Sequence, residues 1–299
     1  MHSPSHDHRK GLLLAAIGGM TLTVDIPLIR LAQGEAWSIL MLRTGTTLAA
    51  TLLIWVVWRR LGTNTPRLIP GRAGLIVSVF YGLGSISFIA AVYNTSTADL
   101  VFILAFNTAF AAILSWIFLN ERPPLPTLIA IAVMILGVLI IVGDSIGHGT
   151  LFGNMAAMAS ALSIAAAITV SRSSGEDMGF TSLIGVLFPF LVAIVMVAGT
   201  GYRVDAPWWI VFNGAVVTPI SFFCLAAGPR YLSSGEVAMF YLLETVLAPI
   251  WVWAIFAEVP SRNSLIGGAI LIVALIAHSL WQLFAKGRPP RDEAVRYPA

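Results

Sequence analysis

Hydrophobic residues along this chain fall into long stretches that short breaks rich in charged residues, glycine and proline separate. A stretch of about 20 apolar residues is long enough to cross the hydrocarbon core of a bilayer as a helix. The chain is therefore predicted to be an all-α membrane protein with ten transmembrane helices. They are expected at residues 10–31, 36–59, 72–93, 97–119, 124–143, 150–171, 179–200, 206–228, 232–256 and 263–284.

The overall composition agrees with this pattern. Hydrophobic residues make up 58% of the chain and charged residues 10%, and the mean hydropathy is +0.89. A water-soluble globule of this length needs more polar surface. The net charge of +3 would suggest nucleic acid in a soluble protein, but here the basic residues cluster at helix ends, so no nucleic-acid partner is expected. The single cysteine, Cys224, excludes an intramolecular disulfide, and we expect no metal site and no cofactor.

Basic residues are distributed unevenly between the two sides of the predicted membrane. Only Arg30, Arg203 and Arg262 fall on one side. The other side carries Arg9, Lys10, Arg59, Arg60, Arg67, Arg72, Arg122, Arg172, Arg230, Lys286, Arg288, Arg291 and Arg296. Cytoplasmic connections are usually the basic ones, so both termini are predicted to be cytoplasmic, in a plasma (inner) membrane protein.

Two halves of the chain resemble each other. The break around residues 143–149 divides the helices into two sets of five, and segments 96–99 and 121–123 match segments 233–236 and 258–260 at one constant offset. Because each half has an odd number of spans, the second copy is inverted relative to the first. We expect a cytoplasmic tail (1–9), a first repeat (10–143), a second repeat (144–285) and a second cytoplasmic tail (286–299).

Glu244 is the strongest candidate for a functional residue, because it lies about eleven residues into the ninth helix, near the predicted midplane. The repeat offset pairs it with Asn107 in the fourth helix. Phe240 and Tyr241, one turn earlier, could form an aromatic wall, so that the carboxylate binds an ammonium group beside a flat apolar side chain. The alternative is a protonated Glu244 that hydrogen-bonds a neighbouring helix for packing.

Asp25 and Arg43 lie at similar depth in the first two helices and are predicted to form an ion pair. A structural role is favoured over a gate or a receptor for a carboxylate. Tyr81, Ser85 and Phe88 share one face of the third helix with Gly84, either as a wall of the substrate cavity or as a tightly packed helix contact.

The segment from Leu119 to Pro123, followed by Gly137, and its second copy from Glu258 to Pro260, followed by Gly267, resemble the paired hallmark of EamA-type drug/metabolite transporters. Within that superfamily the chain is most similar to bacterial aromatic amino-acid exporters. The resemblance implies a ten-helix inverted-repeat carrier with helices five and ten at the periphery of a central cavity. The second copy has Val259 where the first has Arg122, which weakens any charge-dependent role of this loop.

These features predict a secondary transporter that exports amino acids, aromatic or other apolar ones, by alternating access, with a small-molecule substrate and membrane lipid as its partners. The sequence carries no phosphate-binding loop and none of the metalloprotease or serine-hydrolase motifs, so an enzyme is not expected. The alternatives are a carrier of a nucleotide sugar or organic phosphate, a channel and a lipid scramblase. A monomer is compatible with all of these.

Overall fold

The computed structural model describes residues 4–61, 68–148, 150–174, 178, 180–227 and 234–285. This part of the chain is helical, and its only β-type pairing is an isolated bridge between Gly34 and Val204. The helices of the first half are α1 (Pro4–Leu22), α2 (Asp25–Leu31), α3 (Ala36–Leu61), α4 (Gly71–Asn94), α5 (Thr97–Ala105), α6 (Asn107–Leu119) and α7 (Leu125–His148). Those of the second half are α8 (Leu151–Ser174), α9 (Thr181–Ile184), α10 (Leu187–Thr200), α11 (Pro207–Phe212), α12 (Thr218–Ala227), α13 (Ser234–Phe256) and α14 (Arg262–Ala285).

Nine helical segments within the described ranges are long and apolar enough to cross a membrane. Several of them combine two helices, as in the segment Thr97–Leu119, which contains α5 and α6. The helix α13 contributes a shorter apolar stretch, Leu243–Phe256. The prediction of an all-α, multi-pass membrane protein is confirmed, while the count of ten, the inversion of the halves and the side of the termini stay predictions. The predicted tail 286–299 and the connection at 228–233 lie outside the described residues.

Three of the predicted continuous helices are interrupted, and a proline follows each interruption. A turn at Thr23–Val24 precedes Pro27, a turn at Gly185–Val186 precedes Pro189, and a π-helical turn at residues 213–217 precedes Pro219. Proline has no N–H to donate to the carbonyl four residues earlier, and those carbonyls belong to residues 23, 185 and 215. Proline thus accounts for these three interruptions, whereas Pro249 lies inside the uninterrupted helix α13.

The fourth predicted helix is also divided, at Phe106, but without a proline nearby. The N–H of Phe106 bonds the carbonyl of Ile103, which tightens the turn between α5 and α6. Asn107 is therefore the first residue of α6. Irregular backbone at membrane depth is tolerated where it is enclosed by protein or lines a cavity. These four interruptions therefore indicate a cavity or a protein-enclosed region within the bundle.

Large apolar side chains on the outside of the bundle are exposed, and smaller ones pack between helices. Leu53 is 65% exposed, Val195 71% and Val273 65%, as expected of side chains that face lipid. Between α7 and α14, a Cβ atom added at Gly267 would lie 2.6 Å from the carbonyl oxygen of Gly137. Glycine at both positions permits this close backbone approach.

Two connections join at one end of the bundle. The N–H of Glu35 donates to the carbonyl of Arg203 at 2.9 Å, and the N–H of Asp205 donates to the carbonyl of Gln33 at 2.9 Å. These bonds link the loop between α2 and α3 to the loop between α10 and α11. The side chains of Ile26, Ile29 and Ile39, which flank the first of these loops in sequence, are fully buried. The backbone bonds between the loops join the two halves of the chain at this end.

The glycine contact between α7 and α14 predicts that Gly267→Ala destabilises the protein. The new methyl group must displace backbone, and overpacking of this kind costs about 1–3 kcal/mol. The matched control is Gly199→Ala, since a Cβ atom there meets nothing within 4 Å. Thermal unfolding in detergent should show a lower Tm for Gly267→Ala and an unchanged or higher Tm for Gly199→Ala; equal melting temperatures would contradict the contact.

Candidate functional site

A cavity of about 790 Å³ lies between helices from both halves of the chain. Its deep part is lined by Asp25, Arg43, Asn107 and Glu244 together with apolar side chains. At its other end it is lined by the connection from α6 to α7, including Arg122, and by Arg172 on α8. Arg172 is more than half exposed, so this end of the cavity is open.

Helices α7 and α14 contribute to the cavity wall, although the family resemblance implied that they lie at the periphery. Met134 and Thr127 on α7 and His278 on α14 line the cavity. The cavity therefore extends sideways beyond the eight helices expected to surround it.

Arg43 forms the predicted ion pair with Asp25, and Asn213 forms hydrogen bonds with both of them. The Nη2 of Arg43 donates to both carboxylate oxygens of Asp25 at 3.0 Å, and its Nε donates to the Oδ1 of Asn213 at 3.0 Å. The Nδ2 of Asn213 donates to the Oδ1 of Asp25 at 2.7 Å and to its main-chain carbonyl at 3.1 Å. The side chains of Arg43 and Asp25 are 9% and 4% exposed. We call these three residues the Arg43 cluster.

Two helical irregularities bring the Arg43 cluster together. Asp25 is the first residue of α2, directly after the turn that interrupts the first membrane segment. Asn213 begins the π-helical turn, and a Cβ atom at Gly214 would lie 2.4 Å from the main-chain oxygen of Arg43. Glycine there lets the backbones of α3 and the π-helical turn approach closely. Sequence reasoning did not find Asn213; the available signal was an amide followed by glycine within an apolar stretch.

Glu244 and Asn107 both line the cavity, on opposite halves of the chain. Neither side chain has a hydrogen-bond partner among the described residues, and Glu244 interacts electrostatically with Asp25 and Arg43. A carboxylate in such a place is expensive unless a cation, a proton or water balances it. Glu244 is therefore an ionisable group of the cavity whose charge no hydrogen-bonded partner among the described residues balances.

Of the two aromatic side chains expected beside Glu244, the structure describes only that of Phe240. Phe240 is not among the described residues that line the cavity; it packs against Ala15, and its backbone approaches Gly19 of α1. Phe240 is four residues before Glu244, so its side chain is rotated about 40° around the helix axis relative to that of Glu244. It contacts α1 and not the cavity. The side chain of Tyr241 lies outside the described part of the chain.

The aromatic face of α4 supplies the wall that Phe240 was expected to form. Tyr81, Ser85 and Phe88 line the cavity together, and the guanidinium of Arg43 lies 5.4 Å from the centre of the Phe88 ring. Behind this face, the hydroxyl of Ser160 donates to the carbonyl of Gly84 at 3.0 Å. This face is thus both a tightly packed helix contact and a wall of the cavity, since its small residues pack on α8 and its rings face the cavity.

An arginine–glutamate pair lies at the start of α5, away from the open end of the cavity, and neither residue lines the cavity. The Nη1 of Arg30 donates to Glu258 at 2.6 Å, and its Nη2 donates to the carbonyl of Thr95 at 3.2 Å. The other carboxylate oxygen of Glu258 accepts the N–H of Thr97 at 2.7 Å. The pair joins α2, the start of α5 and the connection before α14, and both side chains are 24% exposed.

A second arginine–glutamate pair lies at the open end. The Nη2 of Arg172 donates to the two oxygens of Glu121 at 3.0 and 3.2 Å, and both side chains are at least half exposed. Each pair thus connects the first half of the chain to the second. They differ mainly in solvent exposure, which is greater at the open end.

The sequence model of the EamA-like transporter family matches this chain twice, at residues 9–143 and 151–280. The two matches cover most of the chain. It belongs to the EamA-like transporter family.

Individual relatives of this EamA-like transporter are distant, and two of the three described here cover nearly its whole length. It is 24% identical to the pseudopaline exporter CntI from two strains of Pseudomonas aeruginosa, over 91% of this chain and 96% of the exporter. It is 25% identical to an uncharacterized transporter of Archaeoglobus fulgidus, over 69% of this chain and 76% of the other. Among the solved structures that match, a crystal structure of a protein has a TM-score of 0.65 and 15% identity, over 94% of this chain and 100% of the other, which supports the fold alone.

The family matches relate the two arginine–glutamate pairs of the EamA-like transporter to each other. Arg30 and Arg172 each lie 21 residues after the first residue of their matched segment. Glu121 and Glu258 each lie four residues before the next long helix, α7 or α14. Equivalent positions in the two matched segments therefore form the two pairs.

The Arg43 cluster predicts a non-additive effect of mutation on stability. Asp25→Asn leaves the Arg43 charge without its counter-charge in a buried place, which costs about 3–5 kcal/mol. The double variant Asp25→Asn, Arg43→Gln removes both charges and should recover much of that loss. Thermal unfolding of the wild type, the two single variants and the double variant measures the coupling, and additive losses would show that the pair is not energetically linked.

Proposed function

We propose that this EamA-like protein is a secondary transporter that exports amino acids, aromatic or other apolar ones, through the central cavity. The observation that carries the proposal is Glu244, an ionisable group that lines an otherwise largely apolar cavity without a hydrogen-bond partner in the described part. A substrate ammonium group would supply the missing positive charge. The rings of Tyr81 and Phe88 would accommodate a flat apolar side chain.

The comparisons support a carrier of small molecules without identifying the substrate. The relatives from Pseudomonas aeruginosa export pseudopaline, which supports export as the direction of transport. The nearly complete coverage of those relatives supports the same kind of activity in this chain. The amino-acid substrate is inferred from the residues that line the cavity of this chain and not from these relatives.

A carrier of nucleotide sugars or organic phosphates is the second candidate. Such a substrate needs several cationic groups that face it. Arg43 is the one cation among the deep cavity residues that the structure describes, and Asp25 balances it. Arg122 and Arg172 lie at the open end, and Arg172 is paired with Glu121. The cavity thus favours a substrate that brings its own positive charge.

We infer that transport proceeds by alternating access between two inverted repeats, residues 10–143 and 144–285, with both termini on the cytoplasmic side of the plasma membrane. The equivalence of the Arg30–Glu258 and Arg172–Glu121 pairs supports the inversion, since they lie at opposite ends of the cavity. The less exposed pair, Arg30–Glu258, would hold the outer end closed while the cavity is open to the cytoplasm. A single chain contains the whole cavity, so a monomer suffices.

Glu244→Gln tests the proposed site. The amide keeps the shape of the side chain but removes the negative charge, so we expect uptake of labelled phenylalanine into proteoliposomes to fall at least about tenfold, the effect of losing about 1.4 kcal/mol of binding. The matched control is Glu35→Gln, since Glu35 accepts hydrogen bonds from Trp37 and Ser38 outside the cavity and glutamine can still accept them. Unchanged affinity and rate in Glu244→Gln would remove this residue from the proposal.

Glu258→Gln tests the proposed closure of the outer end. Loss of the charged contact to Arg30 should raise the population of the outward-open state. In a Cys224→Ser background, a cysteine introduced at Ile164 in the cavity should then react several-fold faster with an impermeant thiol reagent added to the outer side. Glu121→Gln, at the equivalent position of the other pair, should not raise that rate. Equal labelling rates in the two variants would contradict the proposal that the Arg30–Glu258 pair holds the outer end of the cavity closed.

A further inference from the structure

The guanidinium of Arg43 uses only part of its hydrogen-bonding capacity within the cluster. Arginine has five N–H donors, one on Nε and two on each terminal nitrogen. Nε donates to Asn213, and Nη2 donates to both oxygens of Asp25. Nη1 has no acceptor among the residues that the structure describes. Because the side chain of Arg43 lines the cavity, these remaining donors are available to a molecule bound there.

The position of this guanidinium is fixed before any substrate arrives. Asp25 and Asn213 hold one edge of it, and Asn213 in turn holds Asp25 through two further bonds. The ring of Phe88 lies against the guanidinium at 5.4 Å. A donor that is 91% buried and held along one edge and one face loses little freedom when it binds an acceptor, which favours tight recognition.

The acceptor that best fits such a donor is a carboxylate, because charge-assisted bonds to arginine are among the strongest hydrogen bonds in proteins. Charge balance restricts the molecule that carries it. Asp25, Arg43 and Glu244 together have one formal negative charge when all three are ionised. An anion without a positive group would add to that charge, so the molecule must carry a cation that Glu244 can balance. The unused donors of Arg43 then favour a zwitterion over a plain cation.

We propose that Arg43 binds the carboxylate of the substrate, while Glu244 binds its ammonium group, so that the cavity selects amino acids over the corresponding amines. Asp25 and Asn213 are positioning residues that act through Arg43. This inference rests on the proposed function, because it assigns the second charged group of the same substrate. It replaces the purely structural role that the sequence favoured for the Asp25–Arg43 pair.

The test compares phenylalanine with phenethylamine, which has the same ring and ammonium group but no carboxylate. Each unlabelled compound competes with uptake of labelled phenylalanine into proteoliposomes. With the wild type, phenylalanine should compete at least about tenfold better than phenethylamine, since the latter leaves Arg43 unpaired.

The double variant Asp25→Asn, Arg43→Gln is the informative one, because it removes both charges together and avoids the unbalanced charge of a single substitution. We expect its half-saturating concentration of phenylalanine to rise at least about tenfold, while phenethylamine competes within about twofold of its wild-type strength. Its melting temperature and its retained response to phenethylamine show that it is folded. The matched control is Arg59→Gln, since Arg59 lies over the ring of Trp55 and does not line the cavity.

The outcomes separate the two proposals. If the double variant keeps the wild-type preference for phenylalanine, the role of Arg43 is overturned and the proposed function stands. If the wild type transports phenylalanine but phenethylamine competes equally well, the carboxylate is not recognised and the inference is again overturned. If the wild type transports no amino acid, the proposed function and the inference that rests on it both fail.

Discussion

The structure depends on one constraint: charges placed between apolar helices must be balanced by other groups of the protein, by water or by a ligand. Arg43 and Asp25 satisfy it within the protein, through bonds to each other and to Asn213. Glu244 lines the same cavity and has no hydrogen-bond partner among the described residues. A ligand with a positive group would therefore balance Glu244, whereas Asp25 already balances Arg43 within the protein.

The backbone arrangement follows from the same constraint. A regular helix uses its own N–H and carbonyl groups and presents its side chains at fixed angles. The interruption before Asp25 and the π-helical turn at Asn213 release both residues from that geometry, and Pro27 and Pro219 account for these sites. The prolines and the buried polar residues therefore belong to one arrangement, in which local irregularity brings polar groups from distant parts of the chain together.

Much of the fold could be predicted because the length of an apolar stretch reports directly on a membrane-crossing helix. The second predicted helix, 36–59, corresponds to Ala36–Leu61, and the pairing of Asp25 with Arg43 followed from their equal depth. Asn213 was not found, because an uncharged residue in an apolar stretch gives no electrostatic signal. Phe240 was misplaced because a one-turn spacing does not say which neighbouring helix a side chain meets; that depends on the packing of α13 against α1.

The central claim is that the cavity between the two halves is the route of a carrier for amino acids. Counterflow in proteoliposomes tests it most directly: vesicles loaded with unlabelled phenylalanine are diluted into a trace of labelled phenylalanine. A carrier predicts transient accumulation of label above its equilibrium level, saturable with concentration. Label that only equilibrates, at a rate proportional to its concentration, would indicate a channel, and no protein-dependent entry of label would contradict an amino-acid carrier altogether.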